Sequence, residues 1–302
     1  EARCGDLGKL RVITRKGDTT NPSDLKRANV VGAKSVIVLD SDRTGDAMVI
    51  STVLAAKSFT KDSGQRLVAE MDDKNVADAL TSATNGEVVA VIPRNIIARV
   101  TAQASRQPGI PAVILELLDF DGDEIYFQEV PDLVGKNYFQ AQQGFKNASL
   151  IGLVPSGGLP ILNPAWNHKI SQGDKVMAIA KDDDQVLFPA NAEAPKRPKS
   201  KALAKQVRPA KSMLVVGWSN LGREVLNALA DYLPKGSSAD IVLQKRFTEL
   251  NMNWDDKFGA LKTRFVEADG TFDQLRDLVL TRKYDEVLVL GYRGEEISEA
   301  EA

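Results

Sequence analysis

The chain has 302 residues, which is long enough for about two domains that each bury a core of their own. A hydrophobic content of 43%, a charged content of 26% and a net charge of -2 are ordinary for a globular protein and give no reason to expect nucleic acid as a partner. Because Cys4 and His168 are the only cysteine and the only histidine, internal disulfides, multi-cysteine zinc sites and histidine-rich catalysis are excluded. The sequence shows neither a signal-peptide pattern nor an apolar run of the roughly 18 residues that span a membrane.

The first part of the chain alternates strand and helix patterns. The continuous apolar run SVIVL is typical of a parallel strand that is covered on both faces. Asn21 is suited to cap a helix whose first residue is Pro22. The alternation predicts a parallel, doubly wound sheet, with strands at 10–14, 35–39, 66–70 and 87–92 and helices at 21–29, 45–58 and 73–82.

Two more helices are predicted at 94–106 and 110–120, and after them the texture changes. Short strands and turns predict a small, strand-rich lobe over residues 124–192. Residues 193–211 are rich in proline, lysine and arginine and have few large apolar groups, so we interpret them as a linker. The alternative is that this basic run contacts acidic lipid or nucleic acid.

The strand–helix alternation then restarts, which indicates an internal repeat. Asp18 and Asp269 precede Val36 and Val287 by the same spacing, so the chain contains two copies of one α/β unit. The first copy has no glycine-turn strand, and we expect its opening strand and helix to lie upstream of Glu1 in a longer protein. The predicted organisation is a first unit at 1–123, a strand-rich lobe at 124–192, a linker at 193–211 and a second unit at 212–302, with strands at 213–217, 240–245, 262–266 and 286–290 and helices at 221–232 and 271–281.

The second unit opens with a strand, a glycine turn and a helix, as dinucleotide-binding folds do. Gly217, Ser219 and Gly222 occupy the three glycine places, and Ser219 adds a side chain where a pyrophosphate would lie. The next strand ends in Gln244, Lys245 and Arg246 instead of the acid that binds ribose. We therefore expect the fold without NAD or another nucleotide, and we expect no catalytic residue.

Acidic residues follow two successive strands of the first unit. Asp40 and Asp42 come after one strand, and Glu70, Asp72 and Asp73 come after the next. Ligands of doubly wound sheets gather at the carboxyl ends of the strands, and carboxylates suit a hard cation such as calcium. The alternative is a solvated acidic rim in which Asp72 or Asp73 caps the following helix.

Other features predict self-association and exclude an EF-hand. Asp119, Asp121 and Asp123 lack the spacing and the closing glutamate of an EF-hand, so they indicate a polar turn. The helices at 45–58 and 110–120 are apolar around most of their circumference, and we expect one face of each to pack on a second copy.

The run GDTTNPSDLKRANVVGAKSVIVLDSD resembles the signature of RCK domains, which regulate potassium conductance, and residues 124–192 resemble the RCK C-terminal lobe. Two such units, with Gly-Trp after the first strand of the second, are most similar to the Castor/Pollux class of cation channels. The resemblance implies two RCK units with doubly wound, Rossmann-like parallel sheets and a small α+β lobe between them. It also implies a homotetrameric, cytosolic ring of paired units below a membrane pore that is absent from this chain.

The same resemblance implies a calcium site and a function. The calcium ligands of the family match Asp42, Glu70 and Asp72, the last standing where the family pattern has glutamate. The implied function is a calcium-sensing gating ring, in the cell membrane of a bacterium or the nuclear envelope of a plant. One alternative is a nucleotide-sensing cytosolic subunit of a potassium uptake system. Another is an NAD-dependent oxidoreductase, but no catalytic group accompanies the altered glycine turn, which argues against an enzyme of this kind.

Overall fold

The computed structural model describes residues 12–40, 45–60, 65–189, 208–243, 258–267 and 272–291. Within these residues the helices are α1 (Pro22–Arg27), α2 (Asp46–Thr60), α3 (Lys74–Ala83), α4 (Pro93–Ala104), α5 (Ile110–Leu118), α6 (Tyr138–Gly144), α7 (Asn220–Ala230) and α8 (Phe272–Thr281). The strands are β1 (Ser35–Val38), β2 (Arg66–Glu70), β3 (Val88–Val91), β4 (Glu124–Gln128), β5 (Ser149–Val154), β6 (Ile161–Leu162), β7 (Lys175–Ala180), β8 (Ser212–Val216), β9 (Ser238–Leu243), β10 (Lys262–Glu267) and β11 (Glu286–Val289).

The first unit contains a parallel sheet of order β1-β2-β3. Helices α2 and α3 cover one face of this sheet, where Val53 of α2 and Leu80 of α3 share a core with Leu67 of β2. Side chains on the other face are exposed, including Ile37 at 65% and Val89 at 54%. The sheet is therefore covered on one side by the helices that follow its strands.

The strand predicted at 10–14 is wrong for the residues that the structure describes. Residues 12–14 form no strand, and Ile13 is 59% exposed, while positions 10 and 11 lie outside the described residues. A strand needs a neighbour to accept and donate its backbone hydrogen bonds, and the first sheet begins at β1. The predicted helix start at Pro22 is confirmed, since the Asn21 side chain accepts a hydrogen bond from the Ser23 backbone N–H.

The middle lobe is an antiparallel sheet of order β4-β7-β5-β6. Helix α6, which the sequence patterns did not predict, packs beside this sheet and begins at a capping box formed by Asn137 and Gln140. The core of the lobe contains Leu133, Tyr138 and Leu153, which are almost fully buried. This lobe and the two parallel sheets confirm the predicted α/β class.

The second unit has a parallel sheet of order β10-β9-β8-β11. In chain order this is 3-2-1-4, the first four places of the 3-2-1-4-5-6 strand order of a doubly wound fold. Helix α7 covers one face and shares its core with Ala98 and Ala102, which belong to α4 and are only 1% and 5% exposed. Helix α4 thus follows the first sheet in the chain but packs against α7 of the second unit. No helix in the ranges that the structure describes is long and apolar enough to cross a membrane.

Helices α2 and α5, whose apolar sequences predicted self-association, have different surroundings. In α2, Val49 and Val53 are buried in the core of the first unit, whereas Met48 and Leu54 are exposed. Helix α5 has no buried residue, and several of its apolar side chains face solvent, namely Val113, Leu115 and Leu118. Self-association through these helices stays a prediction, and Val53 is not available to take part in it.

Candidate functional site

The structure brings two of the three predicted calcium ligands to one edge of the first sheet. Glu70 is the last residue of β2 and is half-buried, and Asp72 is exposed two residues further on. Asp42 lies outside the described residues, so the structure does not test the predicted triad. Among the residues described, no group of three histidine, cysteine or acidic side chains is arranged to hold a metal ion. We refer to Asp46, Glu70, Asp72 and Asp73 as the acidic edge.

Asp46 belongs to the acidic edge, although no pattern in the sequence predicted this. It is the first residue of α2, and its two carboxylate oxygens accept hydrogen bonds from the backbone N–H groups of Asp72 at 2.8 Å and Asp73 at 3.0 Å. Asp73 caps α3 by accepting hydrogen bonds from the backbone N–H groups of the second and third helical residues. Asp73 therefore caps the helix that follows β2, which was one of the alternatives predicted from the sequence. Asp46 fixes the backbone that carries Asp72.

Arg94 links the acidic edge to the next helix. One guanidinium nitrogen, Nη2, lies 3.5 Å from Oδ1 of Asp72, and both side chains are roughly half exposed. Arg94 is the second residue of α4, directly after Pro93. An exposed pair of this kind contributes only about 0.5 kcal/mol of stability. Its position matters more, because it ties a carboxylate of the acidic edge to the helix that contacts the second unit.

We call the contact between α4 and α7 the seam. Small side chains, Ala98 and Ala102, let the two helices approach closely. At one end of the seam the guanidinium carbon of Arg106 lies 3.0 Å from the centroid of the Tyr232 ring, and that of Arg208 lies 4.8 Å from it. Cation–π contacts of this type stabilise by about 0.5–2 kcal/mol. The seam is therefore a packed joint between the two units.

The glycine turn of the second unit is filled by the protein itself. Gly217 has a φ of 86°, and a Cβ atom there would lie 2.0 Å from the carbonyl oxygen of Leu290. The Trp218 ring is 8% exposed and packs edge-to-face on Phe258 and Phe265. The Ser219 side chain is 3% exposed, and its Oγ has no hydrogen-bond partner among the residues that the structure describes. This packing gives a physical reason to expect no nucleotide here, and that expectation stays a prediction.

Asp240 is a buried carboxylate on the face of the second sheet that lies opposite α7, and the sequence analysis did not predict its role. Asp240 of β9 accepts hydrogen bonds from Nε and Nη2 of Arg264 at 3.0 and 2.8 Å, from Nη1 of Arg282 at 2.9 Å and from the Tyr284 hydroxyl at 2.6 Å. Burial raises the pKa of Asp240, but these hydrogen bonds and the two arginine charges outweigh it and lower the pKa below its ordinary value. Burial and the bond to Asp240 raise the pKa of Tyr284 to about 12.

The position of this cluster indicates a structural role. It joins β9 and β10 to the segment between α8 and β11, so it holds the crossover against the sheet. The signal in the sequence was a single acid, Asp240, inside an otherwise apolar strand. A buried acid requires partners, but the sequence does not show which basic side chains supply them.

Comparisons with known proteins agree with the resemblance seen in the sequence. The model of a family described as "Castor and Pollux, part of voltage-gated ion channel" matches residues 94–194. The chain is 27% identical over 318 residues to the ion channel POLLUX of Lotus japonicus, an alignment that covers 98% of this chain and 33% of the relative. The chain therefore spans about a third of that relative's length. These matches confirm the resemblance to Castor/Pollux-type channels.

Two further proteins are similar over larger shares of their own length. The calcium-gated potassium channel TvoK of Thermoplasma volcanium is 26% identical over 178 residues, which cover 57% of this chain and 51% of the relative. The human SLO3 gating ring superposes with a TM-score of 0.62 at 14% identity, covering 95% of this chain and 61% of that structure. At this identity the SLO3 likeness shows the fold, which is the RCK type predicted. POLLUX and TvoK are both named as channels, and neither name describes an enzyme.

Proposed function

We propose that this chain is part of a ligand-sensing gating ring of a cation channel, with calcium as the ligand. The observation that carries the proposal is the match of residues 94–194 to the Castor and Pollux family model, in a chain whose fold is that of a gating ring. The name of TvoK, a calcium-gated channel, supports calcium. In this proposal four copies form a cytosolic ring below a membrane pore that lies outside this chain.

The proposed ligands are Asp42, Glu70 and Asp72. Glu70 and Asp72 fit a hard cation because their carboxylates are accessible and follow the end of a parallel strand. Bound calcium would neutralise carboxylates that repel one another when the site is empty. Asp46 contributes by fixing the backbone of Asp72 through its hydrogen bond, so that less ordering is required when Asp72 binds the ion.

Arg94 provides a route from this edge to the second unit. In the present structure Arg94 is a counter-ion of Asp72. When Asp72 binds a cation instead, Arg94 loses that partner at the start of α4, and α4 is the helix that packs on α7. We therefore propose that the acidic edge and the seam respond together, with Arg94 as the residue that joins them.

Thermal unfolding of the 302-residue chain tests the calcium site. Calcium at about 100 times its dissociation constant is expected to stabilise the folded chain by about 2.7 kcal/mol, and magnesium is expected to act more weakly because it requires tight octahedral geometry. Asp42→Asn, Glu70→Gln and Asp72→Asn should each remove most of the gain.

The matched control for these variants is Asp121→Asn. Asp121 lies in a turn where its backbone N–H donates to the Asp119 side chain, away from the acidic edge. It should keep the full response to calcium. Equal responses of wild type and Asp42→Asn would place the calcium sensor elsewhere. In the full-length channel, Asp72→Asn should shift opening to higher calcium concentrations, which current recordings would measure.

A further inference from the structure

The seam contains a cavity of about 320 Å³ that the proposed calcium function does not use. Its lining includes small side chains of both helices, namely Ala98, Ala102 and Ala228. Its walls come from α4 of the first unit, α7 of the second, and Lys74 at the start of α3. Cavities between domains of about this volume are common sites for small molecules. We refer to it as the seam cavity.

Charged side chains of opposite sign line the two walls of the seam cavity. Arg99 and Arg106 stand on the α4 wall, and Glu224 and Asp231 stand on the α7 wall. Arg106 is already engaged, since it lies over the Tyr232 ring and donates to the Gln103 amide oxygen at 3.2 Å. The other basic residues that line the seam cavity are Arg99 and Lys74.

Lys74 is also engaged, because its ammonium group forms an ion pair with Asp78 on the same helix. By contrast, Arg99, Glu224 and Asp231 form no ion pair with any residue that the structure describes. Within the described part of the chain, the seam cavity is thus lined by one arginine and two acids without an ion-pair partner, of which Glu224 is half-buried and Arg99 and Asp231 are exposed.

We infer that the seam cavity binds a basic α-amino acid. Such a molecule carries one carboxylate, which suits the forked donors of Arg99, and two cationic groups, which suit Glu224 and Asp231. Glu224 lies in α7 and Asp231 is its C-cap seven residues later, which places their Cα atoms about 10 Å apart along the helix axis. In an amino acid whose side chain is about four carbons long and ends in a cation, the α-ammonium group and the terminal cation lie at opposite ends of the side chain. Each of them can therefore face one of the two acids. The aliphatic part of the amino acid would lie against the alanine side chains of the lining.

A basic amino acid matches the charged residues that line the seam cavity in the number of its charges as well as in their sign. A neutral amino acid would leave one carboxylate of α7 unpaired, and an acidic one would add a second negative group beside Glu224 and Asp231. Because the walls belong to different units, the ligand would bridge α4 and α7 and hold the seam in one arrangement. This site is separate from the acidic edge, so its test does not depend on calcium.

Isothermal titration calorimetry with L-lysine as the probe tests the inference on the 302-residue chain. L-lysine should bind the wild type. Glu224→Gln, Asp231→Asn and Arg99→Gln should each weaken binding about tenfold or more, which corresponds to at least about 1.4 kcal/mol. The matched control is Glu129→Gln, an exposed acid of the middle lobe, and it should bind L-lysine as the wild type does.

Two analogues separate the contributions of the charged groups. Cadaverine lacks the carboxylate and L-norleucine lacks the terminal ammonium group, so both should bind at least about tenfold more weakly than L-lysine if each charge is recognised. Thermal unfolding without ligand shows that the variants are folded. The inference is overturned if L-lysine gives no binding heat, if cadaverine binds as tightly as L-lysine, or if the three wall variants bind like the wild type.

Discussion

Strands β1 and β11 occupy the same place in the two repeats but bury opposite faces. Ile37 of β1 is 65% exposed, whereas Leu288 at the aligned position of β11 is 8% exposed. One residue further on, the relation is reversed, because Val38 is 8% exposed and Val289 is 74% exposed. Both strands are continuous apolar runs, so the difference is not visible in their own sequences.

The helices that flank each strand explain the difference. In the first unit, α2 and α3 follow β1 and cover the face that carries Val38. In the second unit, α7 precedes β11 in the chain and covers the face that carries Leu288. In a doubly wound sheet the helices on the two faces come from different halves of the chain. Among the described residues, the first repeat contributes the strands and helices that follow β1, and the second contributes those that precede β11; this decides which face of each strand is buried.

The largest effect is expected at two glycines that precede a helix, Gly45 before α2 and Gly217 before α7. Gly45 and Gly217 both have left-handed φ angles, 80° and 86°. A Cβ at Gly217 would meet the Leu290 carbonyl oxygen at 2.0 Å, whereas one at Gly45 meets no described atom within 4 Å. Gly217→Ala should lower the free energy of unfolding by about 4 kcal/mol and Gly45→Ala by about 1–2 kcal/mol.

Urea unfolding of the two variants measures this difference. If both substitutions cost the same, the close approach of β11 to the glycine turn is not a property of the folded second unit, and the comparison between the units loses its strongest contrast.

The second prediction tests the inverted burial directly. Leu288→Ala leaves a cavity in the core of the second unit and should lower the free energy of unfolding by about 3 kcal/mol. Ile37→Ala, at the aligned position, should change it by less than about 0.5 kcal/mol because the side chain is exposed. Chemical unfolding followed by circular dichroism gives both values. A large loss for Ile37→Ala would show that the exposed face of the first sheet is covered in solution.

A smaller effect is expected from the Asp240 cluster of the second unit. Tyr284→Phe removes the hydroxyl that donates to Asp240 and should cost about 1.5 kcal/mol near pH 8. The folded pKa of Tyr284, about 12, lies above its unfolded value, so this contribution is fully present below about pH 10 and is lost as the pH rises through about 12. Urea unfolding of both proteins from about pH 8 to about pH 12 should show their difference shrink. A constant difference would exclude the raised pKa.

The smallest effect on stability is expected at the link between the units. Arg94→Gln removes an exposed ion pair with Asp72 and should cost about 0.5 kcal/mol or less. It should also tighten calcium binding about twofold, because Asp72 no longer has a competing cation. Arg99→Gln, a substitution on the same helix outside this pair, is the control for a general change in charge. Calorimetry with calcium distinguishes the two, and equal effects would remove Arg94 from the proposed route.

Three members of the acidic edge, Glu70, Asp72 and Asp73, could be predicted from the sequence, because they follow β2 and the carboxyl ends of parallel strands are where ligands gather. The roles of individual acids could not be predicted. Asp73 caps α3, and Asp46 binds the backbone of Asp72 from a different helix. These hydrogen bonds depend on the distance between α2 and the β2–α3 turn, which tertiary packing sets.

The sequence by itself determined the α/β class, the repeat, the strand-rich lobe and the altered glycine turn, because apolar periodicity and turn residues act over short stretches of chain. It failed at residues 12–14, where an apolar pattern has no neighbouring strand among the described residues. Only the tertiary structure decided that α4 packs on α7, that β1 and β11 bury opposite faces and that Asp240 gathers two arginines and a tyrosine. Each of these joins residues far apart in the chain, and such contacts are fixed by how the helices and sheets pack, which local patterns do not encode.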